Sequence, residues 1–157
     1  MHTNLDIAEG GVNDVLISLL GASCDGPFDE DGCGRVGTLT ESEEFSSFLM
    51  RCKTALKSNG LRYYDAGRPV HKLAVMGGAG GDYVRLAYDK GCDTYVTADV
   101  KYHQFLEAQA LGINVIDGDH FCTENPVIPV IAERLSAQFD DVEFVVSGVH
   151  KQVIQFI

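Results

Sequence analysis

The sequence has no long apolar run, no basic cluster and no Cys-x-x-Cys pair, and each absence removes a class of protein. Its apolar stretches are all far too short to cross a bilayer as a helix. No basic segment followed by an apolar core opens the chain, so no signal peptide is visible. A cytoplasmic protein without a membrane partner is expected. The 12 basic residues are outnumbered by 23 acidic ones, a formal net charge of −11. That balance repels nucleic-acid phosphates and argues against duplex binding. The five cysteines, Cys24, Cys33, Cys52, Cys92 and Cys122, are odd in number and widely spaced. Zinc-ribbon, thioredoxin and disulfide-framework readings fail on that spacing, which leaves reduced thiols acting as small hydrophobes. There is no internal repeat and no low-complexity linker.

What is present fits one α/β domain over residues 1–157, since 157 residues at 45% hydrophobic content can bury a real core. Val12 to Leu20 reads as a short amphipathic helix after the Gly10-Gly11 break. Cys24 to Gly37 reads as a Gly- and Asp-rich loop, and its Asp29-Glu30-Asp31-Gly32 run fails the spacing of a calcium loop. Thr40-Glu41-Ser42-Glu43 has the form of a capping box and predicts a helix to about Lys57, burying Phe45, Phe48, Leu49, Cys52 and Leu56. Leu61 to Asp65 predicts a strand. From Lys72 strands alternate with helices: Leu73–Met76, a helix over Asp82–Lys90, Thr94–Thr97, a helix over Tyr102–Leu111, Ile113–Ile116, a helix over Glu124–Phe139, then Val142–Val146. Val153–Ile157 reads as a final edge strand. The rhythm predicts a mixed, largely parallel sheet flanked by helices. Ligands gather at the carboxyl ends of such strands, where the loops at Gly77–Gly81, Asp99–His103 and Asp117–Glu124 all fall.

Two pairs of candidate metal ligands stand out by spacing. His120 and Glu124 are four residues apart at a strand-to-helix junction, and His2 and Asp6 have the same spacing near the start of the chain. On a helix that spacing puts an imidazole and a carboxylate one turn apart on one face, as an N/O-ligated metal requires. Structural or solvent-exposed histidines fit the spacing too. Asp99-Val100-Lys101-Tyr102-His103 offers a base, a cation, a phenol and an imidazole within five residues, or else a capped helix start. Gly77-Gly78-Ala79-Gly80-Gly81 follows a strand as an anion-binding loop would, with Gly78, Gly80, Asp99 and Lys101 as candidate phosphate or substrate contacts. It lacks the third glycine of a dinucleotide fingerprint and the Gly-Lys-Ser/Thr of a P-loop. No nucleophile triad stands out, and Cys122 beside His120 has no required catalytic geometry.

Several of these segments recur in order in one family. His2-Thr3-Asn4-Leu5-Asp6, Gly10-Gly11-Val12-Asn13-Asp14, Gly34-Arg35-Val36-Gly37, the glycine loop, Thr97-Ala98-Asp99-Val100-Lys101-Tyr102-His103 and Asp119-His120-Phe121-Cys122-Thr123-Glu124 resemble motifs of the Nif-three-like family, also called the GTP cyclohydrolase 1 type 2 homologue family. The resemblance implies a dinuclear centre of divalent ions (Zn, Fe, Mn, Co or Ni) with Asp6, His120 and Glu124 as ligands and His2 close by. It further implies a ring-shaped homo-hexamer and hydrolysis of a small molecule or nucleotide, of the GTP ring-opening type, with His103 and Tyr102 as candidates for proton transfer. The family's other ligands come from an earlier His-His-Pro segment, and this sequence has no His-His pair. The resemblance is therefore read as concerning the later part only: the C-terminal part of a family protein, its fold lacking the N-terminal part and its metal centre incomplete as given. Whether the chain is an enzyme stays open. A non-enzymatic metal-binding or regulatory scaffold, and a nucleotide-binding α/β module using the Gly77–Gly81 loop, are the alternatives.

Overall fold

Strand residues alternate between two buried faces, so one sheet must be covered on both sides. Along Val70–Ala79, Leu73 and Val75 point to one core while Ala74 and Met76 point to another. Val96 and Ile116 join the first core, and Tyr95 and Val115 the second. The computed structural model describes residues 3–157 and shows this three-layer arrangement. In chain order the elements are α1 (Thr3–Ile7), α2 (Val12–Leu19), β1 (Ala22–Pro27), β2 (Arg35–Glu43), α3 (Phe45–Ala55), β3 (Arg62–Tyr64), β4 (Val70–Ala79), a single 3-10 turn (Gly81–Tyr83), α4 (Val84–Asp89), β5 (Thr94–Ala98), α5 (Tyr102–Leu111), β6 (Asn114–Asp117), α6 (His120–Glu124) and α7 (Val127–Gln138). The first core takes Leu16, Ile17 and Leu20 from the end of α2 and Phe45, Phe48 and Cys52 from α3. The second takes Val84 and Ala87 from α4 and Ala108 from α5.

The six strands lie in the order β1-β2-β4-β5-β6-β3. Three consecutive strands, β4, β5 and β6, are parallel, as the βαβ rhythm requires. The expectation of a largely parallel sheet is nevertheless corrected. The other three pairings, β1 with β2, β2 with β4 and β3 with β6, are antiparallel, so the sheet is mixed and mostly antiparallel. The strands of this one sheet run from Ala22 to Asp117, with helices from Thr3 onward.

Two of the misread segments, β1 and the far end of β2, are strands whose residues are mostly solvated. The supposed loop from Cys24 to Gly37 contains most of β1 and the start of β2, joined by a short connection. β1 is an edge strand with mostly exposed residues, so it carries no apolar alternation. Thr40 to Glu43 does not cap a helix. Those residues continue β2, with Glu43 opposite Val70, and α3 begins at Phe45 without a side-chain cap. Of the helix expected over Glu124–Phe139, α7 forms Val127–Gln138, and a separate short helix, α6, precedes it at His120–Glu124. Val142–Val146 and Val153–Ile157 form no strand, and Val145 and Val153 are exposed.

The buried face of α3 sets a clear contrast. Phe48→Ala, at a fully buried position, is expected to cost about 3–5 kcal/mol. Met50→Ala, two residues on and 62% exposed, is expected to change stability by less than about 0.5 kcal/mol. Urea unfolding of the two variants checks this.

Candidate functional site

β5 and β6 end side by side, and a buried carboxylate ties the loops that follow them. Asp117 Oδ2 accepts the Val100 N–H at 3.0 Å, its Oδ1 accepts the Asp119 N–H at 3.1 Å, and Arg62 pairs with it from β3. Gly118 N–H donates to Thr97 O at 2.8 Å, closing the two loops on each other. Both loops contain a non-glycine residue with left-handed backbone, Asp99 (φ 53°) and Asp119 (φ 73°). Such a conformation is uncommon and needs surrounding structure to hold it. Asp119 also caps α6, its Oδ1 accepting the Cys122 N–H.

These constraints aim His120 between two carboxylates. Its Nδ1 lies 2.7 Å from Asp99 Oδ2 and its Nε2 lies 3.2 Å from Glu124 Oε1. A carboxylate can only accept, so a ring nitrogen that faces one donates to it when protonated, Nδ1 to Asp99 Oδ2 and Nε2 toward Glu124 Oε1. The hydrogen bond to Asp99 raises the His120 pKa above its ordinary 6.5; burial opposes this, and the Glu124 carboxylate adds to it. The N···O separation also suits a metal. Two ligands each about 2.1 Å from a tetrahedral ion lie about 3.4 Å apart. Gly78 makes room for both donors. Its φ is +71°, and a Cβ there would collide with Glu124 Oε1 and lie 3.3 Å from His120 Nε2.

Asp6 approaches from α1. With Glu124 it lines a cavity of about 310 Å³ walled by Leu5, Val12 and Phe121. Two residues not singled out in the sequence hold α1 there. The buried Asn13 donates through Nδ2 to Asp6 O at 3.0 Å and accepts the Gly77 N–H at 2.8 Å. Arg35 pairs with Asp14 and donates to Ile7 O, Gly32 O and Gly34 O. A buried guanidinium that meets acceptors on several segments fixes their relative position. His2 lies outside the described residues. Among the described residues, no group of three or more His, Cys, Asp or Glu side chains is gathered to hold a metal ion.

The other candidates fall around this centre. Gly77 and Gly78 donate their N–H groups to Asn13 and Thr123 side chains, so those two donors are engaged within the protein. The Gly80 carbonyl accepts from the Tyr95 hydroxyl at 2.8 Å. Lys101, Tyr102 and His103 are exposed at the start of α5. Among the described residues, neither Tyr102 nor His103 hydrogen-bonds to His120 or Glu124. All five cysteines are free thiols, and burial pushes the Cys122 thiol up to about 11, which leaves no thiolate beside His120 near neutral pH.

The family model described as Duf34/NIF3 (NGG1p interacting factor 3) matches residues 1–153. The chain belongs to this Duf34/NIF3 family. That corrects the expectation of a likeness to a later part only, since the match covers nearly the whole chain. A "GTP cyclohydrolase 1 type 2 homolog" of Clostridium perfringens is 35% identical over 164 residues, covering 99% of this chain and 63% of the relative. A protein of the same name from Bacillus subtilis is 38% identical over 116 residues, covering 73% of this chain and 31% of the relative. This Duf34/NIF3 chain thus spans less than two thirds of the length of these relatives. Among solved structures, Staphylococcus aureus hypothetical protein SA1388 matches with a TM-score of 0.89 at 22% identity, over 100% of this chain and 67% of that one. Reduced HcgD from Methanocaldococcus jannaschii matches with a TM-score of 0.78 at 30% identity, over 91% and 57%.

Because the folded pKa of His120 is raised, its protonation stabilises the metal-free fold. That contribution is fully present below about pH 6.5, the unfolded value, and is lost as pH rises through the folded value. An NMR titration of metal-free protein is expected to place His120 above 6.5 and Asp99→Asn to bring it down. A value unchanged in Asp99→Asn would remove Asp99 from this role.

Proposed function

We propose that this chain supplies one wall of a divalent-metal site used for hydrolysis, with Asp6, His120 and Glu124 as ligands. The observation that carries the reading is the orientation of His120, held at Nδ1 by Asp99 with Nε2 3.2 Å from Glu124 Oε1. When Nε2 binds a metal, Nδ1 keeps the ring proton and donates to Asp99. Glu124 adds an anionic oxygen on the same face of α6, one turn away. Asp6 faces the same cavity from α1. A divalent ion held there would supply Lewis-acid polarisation of a carbonyl or phosphoryl oxygen. Hard oxygen donors with one imidazole suit Zn, Fe, Mn, Co or Ni, and two ions would need ligands beyond these.

Tyr102 and His103 stand exposed at the next helix start, where they are available for proton transfer to a bound substrate. The names of the relatives suggest ring opening of GTP as the first reaction to assay. The reading includes assembly of several copies, supported by the exposed apolar residues Val145, Val149 and Val153.

Metal analysis after reconstitution tests this directly. The wild-type chain is expected to bind Zn, Mn or Co, His120→Ala to abolish that binding, and Asp99→Asn to weaken it about ten- to a hundredfold. Binding is expected to fall as pH drops, because the proton competes for Nε2. Absence of any bound metal in the wild type would sink the proposal. Metal binding without turnover of GTP or related nucleotides would favour a scaffold over an enzyme.

A further inference from the structure

The proposed ligands come from distant parts of the chain, Asp6 on α1 and His120 with Glu124 on α6. One backbone dipeptide, Gly77-Gly78 of β4, is tied to both sides. Gly77 N–H donates to Asn13 Oδ1 at 2.8 Å, and Gly78 N–H donates to Thr123 Oγ1 at 3.0 Å. Asn13 belongs to α2 and Thr123 to α6, and both are buried. The fit leaves no room for side chains on the dipeptide. A Cβ on Gly77 would press on Val12 Cγ1, and one on Gly78 would press on Glu124 Oε1.

The bonds continue outward to the ligand residues themselves. Asn13 Nδ2 donates to Asp6 O at 3.0 Å. The amide can face only one way, because a flip would set donor against donor at Gly77 and acceptor against acceptor at Asp6. On the other side, Thr123 Oγ1 lies 3.0 Å from Asp119 O and 3.1 Å from His120 O. The hydroxyl therefore points its proton into α6 and offers a lone pair to Gly78. A third buried hydroxyl, Thr97 Oγ1 on β5, donates to Gly78 O at 3.3 Å. The need to satisfy buried N–H groups explains why polar partners are present here. It does not explain their placement. Each partner makes its other bond to the backbone of a ligand residue, Asp6 on one side and His120 on the other.

We propose that Asn13 and Thr123 are positioning residues: with Gly77-Gly78 they form one strut that sets the gap between Asp6 and the His120–Glu124 pair. A fully bonded buried chain of this kind holds its two ends at a fixed separation, and loss of one link lets that separation relax. The purpose of the strut rests on the metal reading given above. Its existence rests on the hydrogen bonds alone, so the two are tested apart.

Thr123→Val removes the hydroxyl at nearly constant shape, and Thr123→Ser restores it. In metal-free protein the NMR signal of the Asn13 side-chain amide reports the α1 end of the strut. Thr123→Val is expected to shift it and Thr123→Ser to leave it in place. An unmoved signal in Thr123→Val overturns the strut. Co(II) titration of the folded chains, followed by visible absorption, reads its purpose. Thr123→Val is expected to weaken Co(II) about tenfold or more, with Thr123→Ser within about twofold of wild type. A merely structural role would lower the stability of Thr123→Val and leave the affinity of its folded fraction unchanged, and that result overturns the positioning role. If Thr123→Val does not fold, Asn13→Ser decides, its hydroxyl stopping one bond short of both partners. The same weakening of Co(II) is expected there, and unchanged affinity overturns the proposal. A wild-type chain that binds no Co(II) sinks the metal reading, and the strut then stands or falls on the Asn13 signal.

Discussion

The candidate centre rests on the buried carboxylate of Asp117. It meets two backbone N–H groups and the Arg62 guanidinium, so its charge is compensated where water cannot reach it. Those partners belong to three segments: the loop after β5, the loop after β6, and β3 at the sheet edge. One side chain thereby holds Asp99 and Asp119 in conformations that neither would adopt alone. The consequence is the 2.7 Å contact of Asp99 with His120, and through it the direction of His120 Nε2.

A second set of contacts brings Asp6 to the same region. Arg35 and Asn13 donate to backbone carbonyls of the five-residue α1 and tie it to β2 and β4. The glycine loop joins this scheme as space rather than as an anion cradle. Two of its N–H groups are engaged by side chains, and Gly78 leaves the volume that His120 and Glu124 fill.

Much of the architecture was legible because burial on both sides leaves an apolar record. β5, β6 and helix α5 were readable at nearly their observed limits, whereas β4 was read only at its centre, the expected Leu73–Met76 extending from Val70 to Ala79. β1 was not, because an edge strand with a solvated face has the composition of a loop. The capping-box reading at Thr40 failed because pairing of β2 with β4 outweighed a local helix signal. For the site, the four-residue spacing of His120 and Glu124 was visible, and the structure brings those two side chains together. The roles of Asn13, Arg35 and Asp117 were not visible, since each acts on segments distant in sequence.

The sequence by itself determined the alternation of strands and helices from β4 to β6, the His120–Glu124 pair and, through ordered motifs, the family. These depend on local periodicity and short spacings, which the chain carries within a few residues. Only the tertiary structure decided that most strand pairings are antiparallel, that Asp99 orients His120, and that buried Asn13 and Thr123 meet the N–H groups of Gly77 and Gly78. Strand direction, carboxylate placement and burial are set by contacts between distant segments, and composition along the chain does not record them.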